Sequence, residues 1–274
     1  MDTTRLMKMA LEMSGLSDIP GDSGIHHPGD AIGRLLIGID IKGPELKLAK
    51  DLGFDAAVSH HPVGGSSTLR FHEVLYRHID QMTSAGVPQA VAREAIEPMA
   101  LSARITHSMG NYDHAPSIAR LLDLPYLNIH TPLDEIGRCR MAEATQAVAP
   151  EAPVQSLVDA FYERFGEFRH AHTRIEIRVG DPNRPVGRVA VSHGAGTNGG
   201  YSVAKAYFDH GVDTLIYIHC RPDDSRRLQE EYGTRKNLIV TGHIASDSVG
   251  INPYIDRLRD SGLDVVPISG IIPG

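Results

Sequence analysis

The sequence is poor in aromatic residues and cysteine, and it has no long apolar run. Tryptophan is absent and aromatic residues are 5% of the 274 residues, so we expect a mainly aliphatic core. The two cysteines, Cys139 and Cys220, are too few for a disulfide framework and are typical of a reducing compartment. No apolar run reaches the roughly 18 residues that a membrane span needs, and no apolar leader is found. These absences predict a cytoplasmic globular protein.

Positive charge is neither in excess nor clustered. The chain has 27 Lys and Arg against 34 Asp and Glu, which gives a formal net charge of -7. Recognition of nucleic acid or of an anionic membrane usually requires a basic patch, so neither partner is expected. A small anionic substrate is still compatible with this composition, because a local positive site such as a bound metal ion would be enough to hold it.

Apolar residues make up 41% of the chain, enough for a sizeable core, and their spacing predicts alternating strands and helices. A strand over 34–40, a helix over 44–52 and a strand over 55–59 form a βαβ unit, which implies a parallel sheet. We therefore predict an α/β protein with two lobes, each a mixed, largely parallel sheet flanked by helices. The expected lobes are residues 1–135 with 238–274, and an inserted lobe over 136–237.

Several connecting segments contain histidines, glycines or other polar residues that could belong to a functional site. The glycine- and proline-rich stretch 19–29 is predicted to be a loop, and it contains His26 and His27. Residues 71–105 are predicted to be helical with a break at 86–88, followed by a polar loop over 106–113. The glycine-rich turn at 193–200 lies between a strand and a helix. It either binds an anion through backbone N–H groups or is simply a tight turn, and the sequence leaves both readings open.

His60 and His61 follow a short apolar strand and precede Pro62. Neutral imidazole is the commonest side-chain ligand for transition metals, and ligands in parallel sheets gather at the carboxyl ends of strands. Neighbouring residues of a regular strand point to opposite faces, so both histidines can serve one site only where the strand ends. The pair is either half of a metal site or part of a solvated loop after an edge strand.

Further candidates lie in the second half of the chain and in the loop before residue 115. His243 and Asp247 stand four residues apart where a strand leads into a helix, so their side chains share one face. Asp113 is a carboxylate before a helix, and the alternative is a helix-capping role. Three imidazoles and two carboxylates exceed one tetrahedral zinc site and are typical of two metal ions.

At these residues the chain resembles the NGG-one-interacting-factor-three family, whose members are often labelled GTP cyclohydrolase type-two homologues. The resemblance rests on Ser-His-His-Pro at 59–62, Asn-Tyr-Asp at 111–113, Gly-Ala-Gly at 194–196 and Gly-His-x-x-x-Asp at 242–247, and it extends over roughly residues 5–270. The family usually has glutamate where Asp247 stands, and the segment 71–105 is longer than usual.

The resemblance implies a dinuclear metal centre between two lobes, and assembly into a homohexamer. The implied ligands are His60, His61, Asp113, His243 and Asp247, holding two divalent ions of zinc, iron, manganese or nickel.

The first functional hypothesis is a metal-dependent hydrolase acting on a nucleotide or phosphoester, in the manner of a GTP cyclohydrolase. In that case His107, His114 or His193 would act as general acid or base, or would orient the ligands. The alternative is a metal-binding chaperone or regulatory scaffold without turnover.

Overall fold

The computed structural model describes residues 1–274, and helices alternate with strands along most of the chain. The helices are α1 (Thr3–Ser14), α2 (Gly43–Asp51), α3 (Gly65–Leu69), α4 (Phe71–Val74), α5 (Arg77–Ser84), α6 (Gln89–Met109), α7 (His114–Leu122), α8 (Thr131–Thr145), α9 (Gln155–Arg164), α10 (Gly166–His170), α11 (Gly200–Asp209), α12 (Pro222–Tyr232) and α13 (His243–Asp260). The strands are β1 (Gly24–His27), β2 (Arg34–Gly38), β3 (Ala56–Ser59), β4 (Tyr126–Asn128), β5 (Glu176–Val179), β6 (Val189–Val191), β7 (Thr214–Tyr217), β8 (Asn237–Val240) and β9 (Asp264–Ile268).

The strands form two sheets, each largely parallel with one antiparallel edge strand. The first has the order β1-β4-β3-β2-β9, in which β1 is antiparallel to β4 and the other pairs are parallel. The second has the order β5-β8-β7-β6, in which β5 is antiparallel to β8. The predicted βαβ unit is confirmed, because β2 and β3 pair in parallel with α2 between them in the chain. The predicted α/β class with mixed, largely parallel sheets is therefore confirmed.

The chain divides into two compact units. Unit 1 comprises residues 1–74, 101–136 and 250–271, and unit 2 comprises residues 75–100, 137–249 and 272–274. The first sheet belongs to unit 1 and the second to unit 2. These units differ from the expected lobes, because residues 75–100, 238–249 and 272–274 group with unit 2 and residue 136 groups with unit 1.

Each unit has its own hydrophobic core. In unit 1, α2 and α7 pack a mainly aliphatic cluster that includes Leu36, Leu46 and Tyr126. In unit 2, the core is more aromatic than expected, because Phe161, Phe165 and Phe168 contact one another with ring centroids 5.7–6.1 Å apart. Three of the six phenylalanines of the chain therefore lie in one cluster.

Two of the predicted loops are wrong in part. Residues 24–27 form the edge strand β1, which the sequence does not reveal because Gly-Ile-His-His lacks an apolar alternation and is stabilised by its pairing with β4. The loop expected from residue 106 begins later, because α6 continues to Met109, with its polar residues on an exposed face. The helical break expected at 86–88 is confirmed, since α5 ends at Ser84 and α6 begins at Gln89.

None of the helices combines the length and the apolar character that crossing a membrane requires.

Candidate metal centre

Three neighbouring parallel strands of unit 1 end at the same edge of the sheet. Gly38 of β2 pairs with Ser59 of β3, and Ser59 pairs with Asn128 of β4. Continuing this register past the strand ends places Asp40 beside His61, and the main chain of His60 and His61 still donates to the carbonyl oxygens of residues 38 and 39 at 2.8 and 2.9 Å. The side chains that follow three different strands are thereby brought together, as is typical of ligand sites in such sheets.

The residues after β4 contribute His130 and Asp134 to the same edge. His130 comes two residues after the strand, and α8 begins at the next residue, Thr131. An i, i+4 pair at the start of a helix shares one face, so the imidazole of His130 and the carboxylate of Asp134 point the same way. Their closest atoms, Nε2 and Oδ2, are 3.6 Å apart. Both side chains are buried.

The imidazoles of His60, His61 and His130 form one cluster. Their potential metal-binding atoms lie within 4.8 Å of one another. The ring centroids are 5.2 Å apart for His60 and His61, 4.9 Å for His60 and His130, and 5.6 Å for His61 and His130. His60 has no exposed surface, and His130 is 6% exposed. Three imidazoles converge here on a largely buried point.

In each of the three rings Nδ1 lies within hydrogen-bond distance of an oxygen acceptor. His60 Nδ1 is 3.1 Å from the carbonyl oxygen of Ile129, and His61 Nδ1 is 3.1 Å from Oδ1 of Asp40. His130 Nδ1 is 2.7 Å from Oδ2 of Asp22. Donation from Nδ1 leaves the lone pair on Nε2, which is the usual arrangement of a metal-ligating histidine held by an outer carboxylate or carbonyl.

Asp22 is a fully buried carboxylate that comes to the cluster because β1 runs antiparallel to β4. The start of β1 lies beside the end of β4, so Asp22, two residues before β1, falls at the ligand edge. Its Oδ2 also accepts from the hydroxyl of Thr131 at 2.7 Å, and its Oδ1 accepts from the hydroxyl of Ser23 at 3.3 Å. A buried carboxylate needs such donors, and here they hold it against His130.

Asp134 completes the group in unit 1. Its Oδ1 is 3.1 Å from Nε2 of His60, and the side chain is 4% exposed. With Nδ1 of His60 donating to a carbonyl group, two atoms with lone pairs face each other at this distance, which is favourable only when a proton or a metal ion lies between them. Three imidazole nitrogens and one carboxylate are a donor set that suits zinc, iron, manganese or nickel, so these residues fit a divalent ion.

In unit 2, His243 and Asp247 form a second pair at the start of a helix. His243 follows β8 and opens α13, and its Nε2 is 3.4 Å from Oδ2 of Asp247. Asp247 is buried, whereas the side chain of His243 is 40% exposed. The ring of His219, which follows β7, lies edge-on to that of His243 with centroids 4.7 Å apart. The expected shared face of His243 and Asp247 is therefore present.

Asp113 does not belong to the cluster in unit 1. Its Oδ2 pairs with Nη2 of Arg120 at 2.6 Å, and both side chains are nearly half exposed. It occupies the N-cap position of α7, but its side chain makes no capping hydrogen bond. The structure thus brings together the predicted His60 and His61, and it puts Asp134 where the sequence interpretation expected Asp113.

The other singled-out histidines lie outside the cluster. His26 bonds Asn128 through Nε2 at 2.9 Å, and His27 pairs with Asp123 at 3.0 Å. His114 is exposed at the start of α7, and His193 is buried in unit 2 after β6.

His107 packs edge-on against Phe71 with centroids 5.0 Å apart, and Phe71 stacks on His130 at 6.1 Å. Burial, and then the neighbouring His72, lower the pKa of His107. Among the three proposed acid–base residues, His107 is therefore the one that contacts a neighbour of the cluster, the ring of Phe71.

The glycine-rich turn at 193–200 is held by side chains of α5. Nε of Arg77 donates to the carbonyl oxygen of Gly194 at 2.8 Å, and Nε2 of Gln81 donates to that of His193 at 2.6 Å. His78 is fully buried, and its Nε2 is 2.7 Å from the carbonyl oxygen of Thr197. Burial lowers the pKa of His78 to about 4, so it is neutral at physiological pH. These contacts favour the reading of the turn as a packed structural element.

His130, Asp134 and Asp22 were missed in the sequence. A signal for two of them exists, because His-x-x-x-Asp after a short strand at 130–134 has the same form as the motif at 243–247 that was recognised. Asp22 had no such signal, since it reaches His130 across 108 residues of chain. Both units thus carry a histidine and an aspartate four residues apart where a parallel strand meets a helix.

The fold and the cluster define an α/β protein with two largely parallel sheets and a histidine–carboxylate group suited to a metal ion. A solved structure of a NIF3 superfamily protein from Sphaerobacter thermophilus has 48% sequence identity to this chain and a TM-score of 0.94, and the match covers 98% of each chain. The chain belongs to the NIF3 superfamily. Comparison with protein-family models gives no match. Comparison with curated proteins gives none either.

More distant solved structures share the fold. The ybgI protein, described as having unknown function, is 19% identical with a TM-score of 0.57, over 100% of this chain and 99% of its own. Reduced HcgD from Methanocaldococcus jannaschii is 15% identical with a TM-score of 0.58, over 98% of each chain. At these identities the likeness concerns the fold alone, and neither description names a substrate.

Proposed function

We propose that this protein is a divalent-metal-dependent hydrolase that acts on a nucleotide or another phosphoester. The observation that carries the proposal is the cluster of His60, His61 and His130, in which every Nδ1 lies against an oxygen acceptor. An arrangement of this kind leaves three Nε2 atoms to bind one or more cations together with the carboxylate of Asp134. What distinguishes these three histidines from others of the chain is that their potential metal-binding atoms also lie within 4.8 Å of one another.

Each side chain has a distinct task in this proposal. His60, His61, His130 and Asp134 would hold the ion, and a divalent ion bound there supplies a Lewis acid that polarises a phosphoryl oxygen and lowers the pKa of water. Asp22 fixes the ring of His130 and raises its basicity through a 2.7 Å hydrogen bond. Asp40 does the same for His61 at 3.1 Å, but its side chain is half exposed, so solvent weakens its effect.

The proposal includes a second ion and two further ligands. His243 and Asp247 are included as ligands because of their sequence motif and the resemblance to the family. With them, the protein would bind two divalent ions per chain. The proposed assembly is a homohexamer. Sedimentation equilibrium tests this by measuring the molar mass of the assembly in solution. A protein that stays monomeric at all concentrations would refute that part and leave the ligand set of unit 1 in place.

Metal analysis coupled to a substrate screen tests the proposal. The protein is purified without chelator, its metal content is measured, and it is assayed against nucleoside triphosphates, cyclic nucleotides and simple phosphoesters. We expect bound divalent metal and turnover that His60→Ala removes. His27→Ala is the matched control, because it also removes an imidazole but one that pairs only with Asp123.

Metal binding without turnover would refute the hydrolase and support a metal chaperone or regulatory scaffold. Full metal content in His60→Ala would refute the ligand assignment itself. The two outcomes are independent, because the first is read from product formation and the second from elemental analysis.

A further inference from the structure

Unit 2 contains a cavity lined by one proposed metal ligand, His243, and by charged side chains to which the proposed metal chemistry gives no role. We propose that this cavity binds the phosphate group of a small phosphorylated substrate and that Arg174 is its main recognition residue. The inference rests on the proposed function, since it assigns a substrate group to the same reaction. It is carried by the lining of the cavity, by its charge and by its connection to His243.

The cavity has a volume of about 480 Å³, which lies within the range of small-molecule sites. It opens at the carboxyl ends of two parallel strands, where Ile218 directly follows β7 and Val240 ends β8. One wall is formed by β5 and the residues before it. The ends of parallel strands are the usual place for a ligand in an open α/β sheet.

Charged side chains from residues 174–178 form one wall of the cavity. Arg174, Glu176 and Arg178 are exposed and line the cavity, whereas Ile175 is buried with the core of unit 2. Two guanidinium groups and one carboxylate therefore border the same space. Counting two positive and one negative group, the wall has a formal charge of +1 on a protein whose net charge is -7.

The two arginines differ in their partners. Nε of Arg178 pairs with the carboxylate of Glu176. Arg174 forms no ion pair with any carboxylate of the chain, although it belongs to the lining of the cavity. A guanidinium group presents a planar set of donors that matches a phosphate, and at pH 7 a phosphate monoester carries about -1.5 to -2 charges. Arg174 is therefore the cation whose donors are available to a ligand.

His243 connects the cavity to the proposed reaction. Its side chain lines the cavity and also faces Asp247, with Nε2 3.4 Å from Oδ2. The backbone turns sharply before it, because Gly242 has a φ of +101° and a Cβ at this position would lie 2.9 Å from Oγ1 of Thr173. Glycine is required for this turn. A phosphate held by Arg174 would thus lie in the same cavity as one proposed metal ligand.

The test measures phosphate binding by the full-length, metal-free protein, so that no metal ion contributes. Inorganic phosphate and methyl phosphate are titrated by calorimetry at low ionic strength, with acetate as a carboxylate probe. We expect both phosphates to bind more tightly than acetate. Arg174→Gln should weaken phosphate binding about tenfold, because it removes a hydrogen-bond donor that carries charge. Glu176→Gln should strengthen it about threefold, because it removes a competing carboxylate.

Arg226→Gln is the matched control, since Arg226 is an exposed arginine of unit 2 on α12 that pairs with Glu230 and does not line the cavity. Its phosphate affinity should equal that of the wild type. Equal phosphate affinity in Arg174→Gln and the wild type would overturn the inference, as would an equal loss in Arg226→Gln. Circular dichroism confirms that the variants are folded.

The outcome is separate from that of the hydrolase test. Phosphate binding that depends on Arg174 in a protein without turnover would keep this inference and reject the proposed function. Turnover that survives Arg174→Gln with unchanged KM and kcat for a phosphoester would keep the proposed function and reject this inference.

Discussion

Replacing Asp22 with asparagine should weaken metal binding without removing a ligand. Asp22 is fully buried, and its Oδ2 accepts hydrogen bonds from His130 and Thr131, each at 2.7 Å. Asparagine has the same shape and can keep both bonds through its amide oxygen, while its NH₂ group can face Ser23. The substitution therefore removes the negative charge behind the ring of His130 and leaves the geometry in place.

The expected loss of metal affinity in Asp22→Asn follows from the role of a carboxylate that holds a ligating histidine. Loss of such a partner typically costs 10- to 100-fold in metal affinity, or about 1.4–2.8 kcal/mol. In the metal-free protein the cost is about 1 kcal/mol, because a neutral hydrogen bond replaces one assisted by charge. Asp22→Asn should thus affect the dissociation constant for zinc more than the free energy of unfolding.

Competition with a chelator of known affinity measures the dissociation constant, and urea unfolding of the metal-free protein measures stability. Asp18→Asn is the control, since Asp18 is an exposed aspartate near the same loop that bonds only the hydroxyl of Ser17. An unchanged zinc affinity in Asp22→Asn would refute the idea that His130 is a ligand oriented by Asp22. A loss of stability as large as the loss of binding would show that the carboxylate acts on the fold instead.

Three further predictions follow from the same structure. Asp134→Ala should reduce metal binding at least tenfold while Asp113→Ala leaves it unchanged, because Asp134 contacts the imidazole cluster and Asp113 pairs with Arg120 instead; equal effects in metal analysis would contradict the assignment. His243→Ala should lower the metal content from two ions per chain to one, as measured by elemental analysis, and unchanged content would remove unit 2 from the ligand set. Burial lowers the pKa of His78 to about 4 from an ordinary value of 6.5, so the unfolded chain takes up this proton first as the pH falls. The stability linked to His78 is fully present above about pH 6.5, and about 3 kcal/mol should be lost between about pH 6.5 and pH 4. His78→Gln should flatten this part of the urea-midpoint profile, and an unchanged slope would show that other groups titrate there.

The sequence alone determined the class of fold and one half of the candidate metal centre. Strand, helix and strand over residues 34–59 are local patterns, and short connections between them leave parallel pairing as the natural solution. His60 and His61 could be placed at a strand end because the signals are local: an apolar run precedes the two histidines directly and Pro62 follows them. The positions of these strands and of their ends follow from local periodicity. They can therefore be predicted without knowing which other elements pack against them.

Only the tertiary structure decided which other residues join that pair. His60 meets His130 because β3 and β4 are neighbours in register, and Asp22 reaches His130 because β1 pairs antiparallel with β4. Strand order and register arise from contacts between distant parts of the chain, and no local pattern encodes them. The resemblance pointed to Asp113, and no local pattern singled out Asp134: both are aspartates near a helix start, and only the order of strands determines which one faces the imidazoles.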